Sequence, residues 1–399
     1  MNIGIITTWY ERGAAYVSKA YADLLKEKNN VFIYVRDGKY ERNDEKWSQG
    51  NVTWGWELFA TDIHFPHFKK WISNNKLDVL FFNEQRDFEV ILKAKKEFPN
   101  LIIGSYIDYY TQAMVPKFKF YDFVICNTKR HYSVFKDVTK SFYVPWGTDI
   151  DVFTPNERKT HEKLTFFHSV GMSPRKGTRQ LVDVFIKEEL YKKSKLILHT
   201  QIDISRVTNY SLEELKKYEI EVIHKTVGAP GLYHLGDVYV YPTTLEGLGL
   251  TIYEALAAGM PVVITDCPPM NEVVSDEVGK LVAVDKYYTR EDAYYWPLAD
   301  VNEKSLKDAM KYYVEHQDEI ADMQKKARDY AVKHWNWNDR ETEVNKIFET
   351  AHRVNEGYDI DSELKKMKRE KLNVLLMSLF PIMPDRIEQM LQRRINGRK

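Results

Sequence analysis

The stretch "EGLGLTIYEALAAGMPVV", residues 246–263, carries two glutamates, Glu246 and Glu254, on either side of a short glycine-containing turn. Read locally, "DVYVYP" is a strand, "TTLEGLG" a loop, "LTIYEALAA" a helix with Gly259 near its C-terminal end, and "PVVIT" the next strand. Gly247 and Gly249 let the backbone approach a ligand closely. Exposed N–H groups at the following helix start, together with the helix dipole, favour an anion there, and a phosphate fits. Glu254 lies about five residues into the helix, roughly 7.5 Å along its axis, and helical side chains lean back towards the N-terminus. A diol such as a ribose could meet its carboxylate while phosphates sit at the helix tip. Glu246 would face the far side of those phosphates, where a sugar would hang. The alternative is that both are ordinary polar residues of a βαβ unit, and spacing alone does not separate the two readings. Gly247-Leu248-Gly249 lacks the third glycine of the dinucleotide fingerprint and follows no N-terminal strand, so it is poor evidence for NAD.

A second element converges on the same place. In "FFHSVGMSPRKGTRQLVDVF" a strand ends at Val170, the loop carries Arg175 and Lys176, and Gly177 precedes a helix. Two cations at the carboxyl end of a strand can neutralise a diphosphate, and leaving-group charge is what such a site stabilises when a sugar–phosphate bond breaks. The plainer alternative is a solvated basic turn. Metal chemistry is weakly signalled: "DID" occurs at 149–151 and 359–361, but short acidic triplets arise often by chance, and neither follows a suitable strand end in the second half. No metal site and no requirement for a divalent ion are expected.

The elements that must position these residues alternate along the chain. "NIGIITT", "NVFIYV", "DVLFFN", "LIIGSYI" and "FVICNT" read as strands, and Ala15 to Lys28 has helical apolar spacing. A polar run with Pro155 follows, placing an exit from the first domain near residues 154–163. The alternation restarts with "LTFFHSVG", a helix from about Thr178 to Glu189, then "KLILHT", "EVIHKTV", "DVYVYP" and "PVVIT". Two doubly wound α/β domains facing each other across a cleft are expected, with ligands outside the carboxyl ends of the strands, after Thr7, Val170, Thr200 and Pro242. Helical residues from about Asp300 to Val354 close the second domain. The predicted division is residues 1–156 for an acceptor-side domain, 157–340 for a donor domain, 341–357 for a helix returning towards the first domain, and 358–399 for a basic tail.

Composition agrees with such a chain. It has 399 residues, 44% hydrophobic and 29% charged, long enough for two globular domains and too apolar to be disordered. Lys+Arg and Asp+Glu both total 58, so no global field attracts nucleic acid, and no nucleic-acid partner is expected. Cys126 and Cys267 lie far apart without a CxxC spacing, which speaks against a disulfide framework and suits two buried thiols in a reducing cytoplasm. "MNIGIITTWY" reads as an immediate strand without a basic head, so a secretory signal is not expected and a cytoplasmic location is.

At this point the residues resemble a family, the GT-B retaining glycosyltransferases of the GT4 group. "DVYVYPTTLEGLGLTIYEALAAGMPVVITDCPPMNEVV" resembles the family's donor-site block with its E-x7-E pair at Glu246 and Glu254, supported by "VGMSPRKG" and by "VPWGTDIDVFTP". The resemblance covers much of residues 144–284, with the general two-domain layout reaching about 355. It implies two Rossmann-like domains and transfer of a sugar from a nucleoside-diphosphate donor to an acceptor hydroxyl with retention. The acceptor would be a carbohydrate, a lipid-linked or a protein-linked glycan, and no cofactor beyond the donor would be needed. Glu254 would bind the ribose, Lys176 and Arg175 the diphosphate, and Glu246 would lie by the donor sugar. Backbone N–H groups near Leu248, Gly249, Leu250 and Thr251 would meet the phosphates. Departures are specific. Met172 stands where an arginine often follows the "VG" strand, so Arg175 would supply that charge. The glycine-rich loop after the first strand is reduced to Gly13 in "WYERGAAY". A histidine is frequent where "GSYIDYYT" offers Ile107 and Asp108, and Asp108 either orients the acceptor or caps a turn. "PPMNEVV" replaces the small-residue turn usual before Glu272.

Rival readings from other classes are a sugar epimerase or phosphorylase of the same fold, and a catalytically silent nucleotide-sugar binding protein. A dinucleotide oxidoreductase lacks its fingerprint. From Lys365 to Lys399 basic residues outnumber acidic ones ten to three, and they flank the apolar run Leu372 to Met383. That run is shorter than the roughly 20 residues of a spanning helix and is interrupted by Pro381. The tail could lie on an anionic membrane surface, giving a peripheral contact on the inner face, or pack against the first domain or a second subunit.

Overall fold

The computed structural model describes residues 1–37, 43–48, 50–56, 62–107, 109–155, 161–354 and 357–379. The first sheet is built from β1 (Asn2–Thr8), β2 (Asn30–Asp37), β3 (Val52–Trp54), β4 (Val79–Asn83), β5 (Ile102–Tyr106), β6 (Phe123–Cys126) and β7 (Ser141–Tyr143). All its pairs are parallel, in the order β3-β2-β1-β4-β5-β6-β7. The second sheet is built from β8 (Leu164–Gly171), β9 (Ser194–Thr200), β10 (Ile220–His224), β11 (Val238–Tyr241), β12 (Val262–Thr265) and β13 (Gly279–Val282). It is also parallel, in the order β10-β9-β8-β11-β12-β13. A hairpin of β14 (Val284–Tyr288) and β15 (Leu298–Val301) follows.

The period of two in the strands explains why they are nearly continuous apolar runs. In β4, Val79 and Phe81 enter one apolar cluster and Leu80 and Phe82 another; in β11, Tyr239 and Tyr241 divide from Val238 and Val240 in the same way. Helices cover both faces, so both sets of side chains must be apolar. The cluster holding Phe81 also holds Tyr239 and Tyr241, so one core runs from the first domain into the second.

The chain crosses between the domains twice and is fastened at both crossings. Arg328 donates to the carbonyls of Ile150, Phe153 and Ala257. Thr148 exchanges backbone hydrogen bonds with Trp335 and Trp337, at 2.7 and 3.0 Å. The helix Glu341–Thr350 then lies on the first domain. Phe348 packs edge-on against Phe81 and Phe123, and Asn345 donates to the Leu24 carbonyl.

Two expectations need correction. The helix of the first βαβ unit spans Gly13–Leu25, two residues earlier than the apolar spacing indicated, because Arg12 is extended and caps it. The closing helices begin at Glu303 rather than Asp300, which lies in β15; before them β13, β14 and β15, to which no element was assigned from sequence, place Val, Tyr and Leu among charges. Of the alternatives open for the tail, its described part takes packing on the first domain: the helix Ile360–Leu379 rests there through Met367, Leu364 and Ile360. Ion pairs Lys96–Asp361, Lys119–Glu363, Lys117–Glu370 and Lys371–Glu89 flank that contact. The rest of the tail, from Phe380, lies outside the described residues, and with it the end of the apolar run considered for membrane contact, residues 380–383. Among the described residues no helix is long and apolar enough to cross a membrane. Cys126 and Cys267 are buried free thiols.

The C-terminal return is held by a buried ion pair. Lys95 donates to Asp122 at 2.6 Å with both side chains almost fully buried, and Asp122 also accepts from the amides of Ile103 and Val354. Removing one partner of such a pair leaves an uncompensated buried charge. Asp122→Ala is expected to destabilise the first domain by about 3–5 kcal/mol and to release the segment after Val354. Thermal unfolding and limited proteolysis check this; an unchanged midpoint with no new cleavage after residue 350 would contradict it.

Candidate active site

Both sheets reverse strand order at a point where ligands collect, between β1 and β4 in the first and between β8 and β11 in the second. The loops that leave these four strands meet in one cleft. The second-domain wall begins at β8. After Gly171 the turn Pro174–Lys176 is capped by Ser173, and Gly177 takes the left-handed conformation at φ +72°. A Cβ there would lie 2.0 Å from the Pro242 carbonyl oxygen, so only glycine lets this loop press against the end of β11. The Arg175 carbonyl accepts from the Thr244 amide at 2.9 Å, which locks the two loops together.

That lock brings Lys176 onto Glu246. The ammonium donates to the carboxylate at 2.6 Å, and Tyr241 and Thr243 donate to the same oxygen at 2.9 and 2.7 Å. Burial works to raise the Glu246 pKa, but the Lys176 charge and these three hydrogen bonds outweigh it and hold the carboxyl below its ordinary value. Glu246 is thus an anion with a cation already beside it. Eight residues on, Glu254 has the opposite environment. Its carboxylate accepts from Tyr233 at 2.5 Å and from no other described side chain, and burial pushes its pKa up to about 7.

Between them the helix Leu250–Ala257 starts at Gly249, left-handed at φ +77°, with no side chain capping it. Leu248 is buried, and Thr251 turns its hydroxyl towards the Tyr239 and Tyr241 hydroxyls, so both serve packing and leave the backbone at the tip. Gly13 reaches this tip from the first domain: a Cβ on it would come within 3.4 Å of the Leu250 side chain. Gly13, Gly247 and Arg175 line a cavity of about 450 Å³.

The first domain also holds the Glu246 loop from outside. Thr128 caps the short helix Lys129–Phe135, whose first amides, on Lys129 and Arg130, donate to Glu272 of the second domain at 2.6 and 2.9 Å. Arg130 donates from its guanidinium to the carbonyls of Pro268 and Glu246, each at 2.5 Å. Next to it, burial and the neighbouring Arg130 charge depress the His131 pKa far below its ordinary value, so the ring is neutral. One tautomer satisfies all its contacts: Nε2–H donates to the Gly247 carbonyl at 3.2 Å, and Nδ1 accepts from Tyr110 at 3.0 Å. The Tyr110 oxygen accepts in turn from Trp296 Nε1 at 2.6 Å.

Lys176, Arg175, Glu246, Glu254, Gly13 and the 247–251 backbone therefore all stand at this cleft or directly behind its wall. The structure adds one contact that the sequence reading did not contain: Glu246 and Lys176 are joined to each other, because the Arg175–Thr244 contact folds the two loops into one wall. Asp108 lies outside the described residues. The two acidic triplets have local duties, Asp149 accepting from the amides of Asp151 and Val152, and Asp359 from the amide of Ser362.

Several participants were not found from sequence. Arg130, His131 and Glu272 act through contacts between residues more than 100 positions apart, and nothing local marks them. Glu84 carried a signal only in its place after a strand; it is left-handed at φ +47°, a strained state that gathers at functional loops.

A family model described as Glycosyl transferases group 1 matches residues 162–292. A lipopolysaccharide core biosynthesis mannosyltransferase of Rhizobium meliloti is 42% identical over 67 residues, 16% of this chain and 19% of that protein. A phosphatidyl-myo-inositol mannosyltransferase of Mycobacterium tuberculosis is 26% identical over 217 residues, 52% of this chain and 53% of that one. The chain spans about half or less of the length of these curated relatives. A sucrose-phosphate synthase from Thermosynechococcus elongatus superposes with a TM-score of 0.68 at 16% identity, over 88% of this chain and 98% of that chain. The Anabaena protein HepE, solved with UDP and glucose, superposes at 0.67 and 15% identity, over 88% and 100%. These solved structures carry the fold, and the family match falls on the residues that build the wall around Lys176, Glu246 and Glu254. The chain therefore has the GT-B fold and, over residues 162–292, a glycosyl transferases group 1 region.

Proposed function

We propose that the protein is a retaining glycosyltransferase that moves a sugar from a nucleoside-diphosphate donor to an acceptor hydroxyl in glycan or glycolipid synthesis. The observation that carries this is the wall itself: an uncapped helix tip with a lysine–glutamate pair on one side and a poorly solvated carboxyl on the other. The diphosphate rests at the Gly249–Thr251 backbone, where amide dipoles and the charges of Lys176 and Arg175 oppose its own. The ribose hydroxyls reach Glu254, and binding there replaces part of the solvation its carboxylate lacks. Glu246, already ionised, accepts from the sugar hydroxyls through its second oxygen.

As the anomeric bond breaks, negative charge grows on the departing phosphate, and preorganised cations lower the barrier there. The acceptor approaches from the same face and passes its hydroxyl proton to that phosphate oxygen, so no protein nucleophile is required. Lys176 also keeps Glu246 deprotonated, which couples the leaving-group site to the sugar site. Binding relies on no metal. Two of the curated relatives that match are mannosyltransferases, which favours a hexose as the transferred group.

Three outcomes test this. Lys176→Ala should reduce release of UDP, GDP or ADP from the matching donor by roughly 100- to 1000-fold, as losing one preorganised donor to a developing oxyanion does; turnover within tenfold of the parent would remove the assignment. Glu254→Gln should weaken nucleoside-diphosphate binding by roughly tenfold or more while leaving inorganic pyrophosphate binding unchanged, and equal loss for both would mean that Glu254 does not see the ribose. The same residue sets a pH trend. Its folded pKa of about 7 exceeds the ordinary 4.5, so the folded chain binds the proton more tightly. The stability this adds is complete below pH 4.5 and is lost as pH rises through 7, by at most about 3 kcal/mol. Thermal midpoints between pH 5 and pH 8 should therefore fall more steeply in the parent than in Glu254→Gln, and parallel profiles would contradict this.

A further inference from the structure

The cleft continues beyond the phosphate site, and its outer part is built differently. Four arginines, Arg12, Arg86, Arg175 and Arg290, line the cavity against two acids, Glu84 and Asp292. Arg290 and Asp292 are paired with each other at 2.5 Å, and Arg175 stands in the donor wall. Arg86, on the loop after β4, is left with its guanidinium 4.0 Å from the centre of the Tyr109 ring. It donates no hydrogen bond to another described residue.

Its position is fixed all the same, by a stack that crosses the cleft. Tyr109 lies face to face with Tyr294, ring centres 5.2 Å apart and 19° from parallel, and Arg290 covers Tyr294 at 5.2 Å. The order is Arg86, Tyr109, Tyr294, Arg290, two layers from each domain. The segment between β14 and β15 delivers the second pair. It is pinned by a bridge between Thr111 and Tyr294 and by the Tyr295 amide donating to the Tyr110 carbonyl at 2.9 Å. A guanidinium whose face is taken by a ring still has its N–H edge for a carboxylate or a phosphate, and that planar fork suits both anions.

We infer that the acceptor carries an anionic group, a phosphate or a carboxylate, which Arg86 receives in the pocket closed by the 284–301 hairpin. This rests on reading the cleft as a glycosyltransferase site. The donor's own phosphates are served by the second-domain wall, whereas Arg86 belongs to the first domain. Tyr109 and Tyr294 line the same cavity, and because their faces are taken by the stack they border a bound sugar with their ring edges. Glu84, which pairs with no other described residue and lines the same cavity, can accept from its hydroxyls.

The test uses the full chain saturated with nucleoside diphosphate and three probes, glucose, glucose 6-phosphate and glucuronate, each titrated by calorimetry or ligand-observed NMR. At least one anionic sugar should bind about tenfold more tightly than glucose, as a charge-assisted hydrogen bond provides, and which one wins separates phosphate from carboxylate. Arg86→Gln should erase that preference while nucleoside-diphosphate affinity and the thermal midpoint stay as in the parent. Equal binding of all three probes, no binding of either anionic probe, or a preference that survives Arg86→Gln would overturn the inference. Nucleoside-diphosphate binding is read separately. Its absence overturns the donor-site reading and the acceptor assignment with it, whereas its presence without an Arg86-dependent preference overturns this inference alone.

Discussion

The short helix Lys129–Phe135 of the first domain is plugged into the second, and the geometry of the cleft depends on that plug. Glu272 accepts from its first two amides, Arg130 holds the Glu246 and Pro268 carbonyls, and His131 holds the Gly247 carbonyl. A loop that must present backbone to a ligand cannot hold itself with the same groups. Here its outward carbonyls are occupied by the opposite domain, so the loop is fixed without a side chain standing in the cleft. The neutral His131 and the fully directed Tyr110–Trp296 contact behind it extend the constraint to the 284–301 hairpin. Within this network Arg130 Nε is buried without a hydrogen-bond partner among the described residues, so the arrangement is held by the carbonyl and carboxylate contacts named above.

From that constraint the division of labour follows. The second domain supplies an electrostatic wall in which one glutamate is kept ionised by Lys176 and the other is kept close to neutral by burial. Two carboxyls on one short segment thus differ in their hold on a proton because their surroundings differ. The first domain supplies the opposing surface after β1 and β4, where its sheet reverses strand order. The continuous apolar cluster beneath the cleft and the returning helix Glu341–Thr350 join the two walls through packing as well as through the plug.

Much of this was legible from residues alone where the signal was local. Two parallel α/β layers follow from apolar strands separated by helical spacing, and the Glu246, Glu254, Arg175 and Lys176 group follows from charges placed after strand ends beside glycines. What could not be read was contact between distant segments. The Lys176–Glu246 pair depends on the Arg175–Thr244 backbone hydrogen bond, Arg130 and Glu272 meet across 142 positions, and Tyr109 finds Tyr294 from 185 positions away. β14 and β15 escaped notice because "VDKYY" and "LADV" are short and half-polar, so their periodicity is weak, and a hairpin that reaches across to another domain follows no local rule. The docking of the helix Ile360–Leu379 was one of the open alternatives for the tail, since a basic amphipathic segment serves a membrane or a protein face equally well.

The central claim is that a pyrophosphate rests on the Gly249–Thr251 backbone of a loop fixed by the opposite domain. A crystal structure of the protein with the nucleoside diphosphate released from its donor tests that claim most directly. The account expects phosphate oxygens within hydrogen-bond reach of the Leu250 or Thr251 amides and of Lys176, a ribose hydroxyl on Glu254, and the Arg130 contact to the Glu246 carbonyl intact. Phosphates bound away from that helix tip, or a Glu246 loop swung free of Arg130 and His131, would contradict it.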